Sequence, residues 1–171
     1  MYFCSQNNIK NMTTTVRKVT TLAGLDAVLL AAACLIPAAS HVLAFPLYML
    51  NPMLALLLVG ILMGRDWRNA LALAVLMPLV SSLVVGMPAA PKMVCMMAEL
   101  AVVAGVFSLL ARRWSALPAV LVAVLGGKLV YYALKALILA PATLVGTEWW
   151  IQLGAVLVWG GLFAIIYNRK K

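Results

Sequence analysis

The feature that most constrains this chain is a succession of long segments with almost no charge in them. Apolar runs occupy residues 21–38, 47–64, 69–85, 93–111, 116–139 and 148–167. The hydrocarbon core of a bilayer is about 30 Å thick, and about 20 apolar residues in a helix cross it. The runs are apolar on every side rather than alternating with the period of two that a lipid-exposed β-barrel requires. The expected fold is therefore an all-α membrane protein of six transmembrane helices. Composition agrees: 66% of the 171 residues are hydrophobic and mean hydropathy is +1.09, where soluble domains are about half apolar. Residues 1–20 read as a polar tail and residues 21–171 as one six-helix membrane domain.

The net charge of +9 would suggest nucleic acid in a soluble protein. Here the cations sit at the ends of apolar runs, so they report topology, and no nucleic-acid partner is expected. Lys10, Arg17, Lys18, Arg65, Arg68, Arg112, Arg113, Arg169, Lys170 and Lys171 fall on one side of a six-span arrangement, and only Lys92 falls on the other. Positive residues are retained on the cytoplasmic side, which predicts that both termini are cytoplasmic. A cleaved signal peptide is disfavoured by Asp26 within the first run, since such apolar regions are uncharged. Ala31–Ala32–Ala33–Cys34 also lacks the aliphatic residue of a lipoprotein cleavage site.

Ionisable side chains inside a span cost about 2.5–3.5 kcal/mol each on insertion scales and face protein or water. Asp26 stands about one turn inside the first run, within reach of Arg17, Lys18 or water, and reads as structural. Glu99 lies six residues past Met93, about 9 Å below the outer edge at 1.5 Å per residue. In the fifth run, GGKLVYYALKAL, Lys128, Tyr131, Tyr132 and Lys135 fall at i, i+3, i+4 and i+7, one face of a helix. Two lysines on an aromatic face suit an anion or a flat ring. Two arrangements stay open. Either Glu99 and the lysines touch a ligand, with Lys135 at a depth close to that of Glu99, or Lys128 pairs with Glu99 while Lys135 snorkels outward.

Around these charges gather His41, Tyr48 and Asn51 of the first outer hairpin, Ser81 and Ser82 of the third run, and Met87 and Lys92 of the next turn. Trp149, with Glu148 and Trp150, opens the sixth run. Pro78 lies mid-span and frees the Ala74 carbonyl, predicting a local kink. Ala23, Ala27 and Ala31 share a face of the first helix and permit close approach of another helix. Enzyme chemistry is not indicated: one histidine and three scattered cysteines provide neither a metal-ligand spacing nor a Ser–His–acid order. GGK at 126–128 fails as a phosphate-binding loop, because Val122 stands where its first glycine belongs and Leu129 where Ser or Thr is required. No cofactor or metal is expected.

The block from Asn51 to Leu100 resembles the substrate-binding S components of energy-coupling factor (ECF) vitamin transporters. The likeness rests on NPM at 51–53, Gly60 and Gly64, the Pro78 to Leu83 segment ending in SSL, GMP at 86–88 and EL at 99–100. The segment RDWRNALALA departs from the resemblance where a further glycine is usual. The resemblance implies a multi-pass subunit of the bacterial plasma (inner) membrane. Such a subunit captures a water-soluble vitamin or vitamin precursor near the outer surface and topples to deliver it. It works with a separate transmembrane scaffold and two ATPase subunits. Ala27 and Ala31, with Ala23, match the spacing of a scaffold-docking face. The substrate-binding residues expected on this reading are Glu99, Lys135, Lys128, Tyr131, Asn51, His41, Ser82, Met87 and Trp149. The lysines favour an anionic ligand such as pantothenate or biotin, with riboflavin and a pyrimidine precursor still open. A stand-alone proton-coupled secondary carrier using Glu99 is the alternative.

Overall fold

A computed structural model describes residues 3–42, 50–64, 66–139 and 149–170, with the side chains of residues 3–18, 38, 41, 139, 149, 150 and 170 left aside. Its elements are six helices: α1 (Phe3–Val42), α2 (Pro52–Gly64), α3 (Trp67–Val85), α4 (Ala90–Leu110), α5 (Ala116–Leu139) and α6 (Trp149–Lys170). Five of them contain stretches long and apolar enough to cross a membrane: Val19–Pro37, Trp67–Val85, Ala90–Leu110, Ala116–Ile138 and Ile151–Arg169. The sixth, α2, has 13 residues, about 20 Å at 1.5 Å per residue, which is short of a bilayer core. The expected start of that span, at residues 47–49, lies outside the described residues.

α1 carries residues of the polar tail and the first apolar run on one helix. It runs as one helix of 40 residues, about 60 Å at 1.5 Å per residue, and its Val19–Pro37 portion is long and apolar enough to cross a membrane. The tail contains no glycine or proline before Gly24, so the two strongest helix breakers are absent from it.

Local chemistry places the other boundaries. Asp66 caps α3 by accepting a hydrogen bond from the Arg68 amide at 3.1 Å, as N-cap carboxylates do. Gly86 ends the same helix in the left-handed region, at φ 75°, with its N–H on the Ser82 carbonyl. A side chain there would be strained, which is why glycine serves. Two serines then tie down the turn into α4: Ser81 donates to the Met87 carbonyl at 2.8 Å and Ser82 to the Pro88 carbonyl at 2.9 Å. Pro91 falls in the first turn of α4, where a missing N–H costs nothing.

α4 is the centre of the bundle. It packs most extensively on α5 and then on α3, while α3 also carries α1 and α2, and α6 lies against α5 and α2. The interior holds Leu54, Leu57, Leu73, Met77, Leu100, Val103, Val120 and Val124 with alanines between them. The outer surface carries Leu83, Leu109, Leu129, Leu137 and Ile165, all exposed. An apolar exterior of that extent belongs in lipid rather than water. Helices there gain nothing from the hydrophobic effect by pairing and rely on close packing and hydrogen bonds instead. Pro78 sits inside α3, fully buried, and Ala74 beside it is fully buried too. The carbonyl that Pro78 cannot satisfy therefore faces protein, the setting in which a membrane helix tolerates proline.

Candidate functional site

Asn51 is the first residue of the site. It precedes Pro52 and adopts φ 48°, a left-handed conformation that asparagine enters more readily than most residues. Its carbonyl accepts from the amides of Leu54 and Ala55 and starts α2. Its side chain is left free to reach α4, where Nδ2 donates to Glu99 Oε1 at 3.1 Å. The preceding Leu50 carbonyl accepts from Trp159 Nε1 of α6 at 2.9 Å, so this corner is fixed from a second helix. Replacing Trp159 with phenylalanine keeps most of the packing and strands that carbonyl. The expected loss is about 1 kcal/mol, measured as a lower unfolding midpoint in detergent.

Glu99 is buried at 3% exposure on α4, nine residues from the start of the helix and so about 13 Å along it. The same Oε1 accepts a charged hydrogen bond from Lys128 Nζ of α5 at 2.9 Å, the lysine side chain being 16% exposed. Lys128 also lies 5.3 Å from the centre of the Tyr131 ring, a cation–π arrangement, and 3.5 Å from Gln152 Oε1 of α6. Tyr132 donates to that same Gln152 oxygen at 3.0 Å. The two tyrosine rings meet edge to face at 5.4 Å. A continuous polar chain thus crosses four helices: Asn51, Glu99, Lys128, Gln152 and Tyr132. Each charge in it has an opposite charge or a hydrogen bond, which is the condition for holding ions away from water.

Gly127 lets α4 and α5 come this close. A Cβ added there would lie 2.9 Å from the Glu99 carbonyl oxygen and 2.6 Å from Val103 Cγ2. The GGK sequence that fails as a phosphate loop is therefore a close-approach point, which brings the neighbouring Lys128 onto the carboxylate.

Of the residues expected at a site, the structure brings together Glu99, Lys128, Tyr131 and Asn51. The lysine on Glu99 is Lys128; Lys135, half-buried two turns further along α5, stands within electrostatic reach of Lys92 and Cys95 instead. Ser82 and Met87 shape the α3–α4 turn, and Met87 is exposed. His41 and Trp149 lie on α1 and α6, and their side chains are outside the described residues, as is Tyr48. Ala23, Ala27 and Ala31 are all exposed on α1, away from Leu29 and Ala33, which face inward. Asp26 takes a partner the sequence did not suggest: Asn69 Nδ2 of α3 donates to its Oδ1 at 3.0 Å. Gln152, Trp159 and Asn69 are new to the account. Gln152 had a signal, being the one side-chain amide, with no charged residue, between Trp150 and Asn168.

Chemically, the cluster offers an amide, a carboxylate, an ammonium group, a second amide and a phenol, with two aromatic rings beside them. These groups can exchange internal hydrogen bonds for equivalent bonds to a small polar solute. Among the described residues no group of three or more His, Cys, Asp and Glu side chains gathers to hold a metal. Comparison with family models, with curated proteins and with solved structures finds no match for the chain.

Proposed function

We propose that this protein is the membrane-embedded substrate-capture subunit of an ECF-type importer. It crosses the bacterial plasma membrane six times with both termini in the cytoplasm. It binds a water-soluble vitamin or vitamin precursor from outside and passes it on with a separate scaffold and two ATPase subunits. The observation that carries this reading is the polar chain from Asn51 to Tyr132, buried at Asn51 and Glu99 and half-buried beyond them, in an otherwise apolar bundle. Intramembrane ionisable groups are costly and mark solute or ion paths. Asn51 and Glu99 belong to the motifs on which the sequence resemblance rests, and they share a hydrogen bond. The ten-to-one distribution of cations supports cytoplasmic termini and hence an outward-facing position for Asn51 and Lys135. Lys135 with Lys92 gives that side a positive approach, which favours an anionic solute. The exposed Ala23, Ala27 and Ala31 stripe supports α1 as the scaffold-docking face.

Equilibrium binding to the purified protein tests the reading, with pantothenate, biotin, riboflavin and a pyrimidine precursor as the panel. One of them is expected to bind, and Glu99→Gln to weaken it at least tenfold. If folded protein binds none of them, the capture reading is lost. If Glu99→Gln binds as the parent does, the carboxylate only holds Lys128 in place. Solute uptake by vesicles containing this chain alone would instead identify a proton-coupled carrier.

A further inference from the structure

A second feature lies at the opposite end of the bundle from Asn51. The end of α2, the start of α3, the end of α4 and the end of α6 enclose a cavity of about 280 Å³. Its inner walls are apolar: Ile61, Ala70, Phe107 and Ala111. Trp67 and Tyr167 flank it, and Tyr167 is held in place by ring contacts with Phe107 and Phe163 at 5.6 Å each. Arg112 and Asp66 stand at the polar rim. The Asp66 carboxylate is engaged as the cap of α3. Arg112 is exposed and is followed by Arg113, while Arg68 lies over the Trp67 ring at 5.6 Å. Trp67 and Trp114 are both exposed beside these arginines, as tryptophans are at the boundary between lipid and water.

Three properties converge here: an apolar interior at the ends of α3, α4 and α6, a rim where Arg112 stands beside the helix-capping Asp66 with Arg68 over the neighbouring Trp67, and flanking aromatic rings. The cavity is slightly below the roughly 300–1,000 Å³ of pockets that enclose a drug-sized molecule. It suits one end of a chain whose remainder lies in the bilayer. Basic pockets between membrane helices on the cytoplasmic side bind anionic lipid head groups.

We propose that this cavity is a binding site for an anionic phospholipid. Arg112 pairs with the phosphate, Arg68 and Arg113 add to the attraction, and the upper part of one acyl chain enters between Phe107, Ala70 and Ile61. Naming the leaflet as cytoplasmic rests on the topology proposed above; the site itself does not, and it is independent of which solute the Glu99 cluster takes.

Native mass spectrometry of the full chain in a neutral detergent tests this, with phosphatidylglycerol and phosphatidylcholine of identical acyl chains as probes. Phosphatidylglycerol is expected to be retained at least fivefold more than phosphatidylcholine. Arg112→Gln, a change at an exposed position, is expected to bring that ratio close to one. Ala111→Leu, which fills the cavity and leaves Arg112 in place, is expected to lower phosphatidylglycerol retention as well. Excess sn-glycerol 3-phosphate, a head group without chains, is expected not to displace the lipid. Equal retention of the two lipids overturns the proposal, as does full preference in the Arg112→Gln protein. Displacement by sn-glycerol 3-phosphate as effective as by lipid would make this a site for soluble phosphates and overturn it too. Unfolding midpoints of both variants, measured alongside, separate loss of the site from loss of the fold.

Discussion

Replacing Lys128 with methionine is expected to destabilise the protein by about 3–5 kcal/mol, the range for removing one partner of a buried ion pair. The substitution leaves the Glu99 carboxylate buried with the Asn51 amide on the oxygen that Lys128 vacates. Methionine keeps nearly the length and volume of lysine, so lost packing contributes little. The informative comparison is the double variant Lys128→Met with Glu99→Gln. It removes both charges, and glutamine still offers an acceptor to Asn51. Replacement of a buried pair by neutral side chains is often close to neutral. The double variant is therefore expected to recover most of the loss, and the single-variant effects not to add. Chemical unfolding in mixed micelles measures all four proteins of the cycle. Additive effects would mean that the 2.9 Å contact contributes no coupling, and the polar chain would then be a set of independent residues.

The second large effect is expected at Gly127. Alanine there sets a methyl group 2.9 Å from the Glu99 backbone oxygen and 2.6 Å from Val103 Cγ2. Val103 is itself fully buried. The backbone oxygen cannot move unless α4 moves. Overpacking of a tight core costs about 1–3 kcal/mol and occasionally more, and here α4 and α5 must separate along their main interface. The change is expected to reach the upper part of that range and to lengthen the Glu99–Lys128 contact, lowering ligand binding too. Gly126 is the internal control. Its added Cβ meets nothing nearer than Val102 Cγ1 at 4.0 Å. Gly126→Ala is expected to lie within about 0.5 kcal/mol of the parent, or to stabilise slightly, since alanine is the better helix former. Val103→Ala is expected to rescue Gly127→Ala only in part, because the contact with the backbone oxygen persists. Thermal unfolding of the four proteins in one detergent measures this. Equal behaviour of the two glycine variants would show that the helices are not held together at this point.

Helix positions were legible in the sequence because lipid demands long apolar runs, and long apolar runs are visible one residue at a time. The run read at 69–85 is α3 from Trp67 to Val85, and the run read at 116–139 is α5 from Ala116 to Leu139. The exception, α2, shows the limit of that signal. The described part of α2 begins at Pro52, after the left-handed Asn51, and residues 47–49 lie outside the described residues. Within the site, Glu99 stood out as a charge in an apolar run, and Lys128 and Tyr131 stood out through helical spacing. Asn69 and Trp159 did not, because a single amide or indole in a membrane helix has many uses and neither is marked by periodicity.

By itself, then, the sequence determined that the chain is helical with apolar segments suited to a membrane, where those segments lie, and that Glu99 is a charge inside one of them. Those properties depend on the side chains of one segment at a time. Only the tertiary structure decided which partners the charges take. Lys128 and Lys135 lie on one face of α5, and spacing along a helix says nothing about what stands opposite it. The choice between them is made at Gly127, where the missing side chain lets α4 approach within contact distance and sets Lys128, rather than Lys135, against the carboxylate. The same holds for Asp26, which pairs with Asn69 across 43 residues of sequence. A helix carries its own hydrogen bonds within it, but a buried charge must find its partner on another helix, and that depends on how the helices pack.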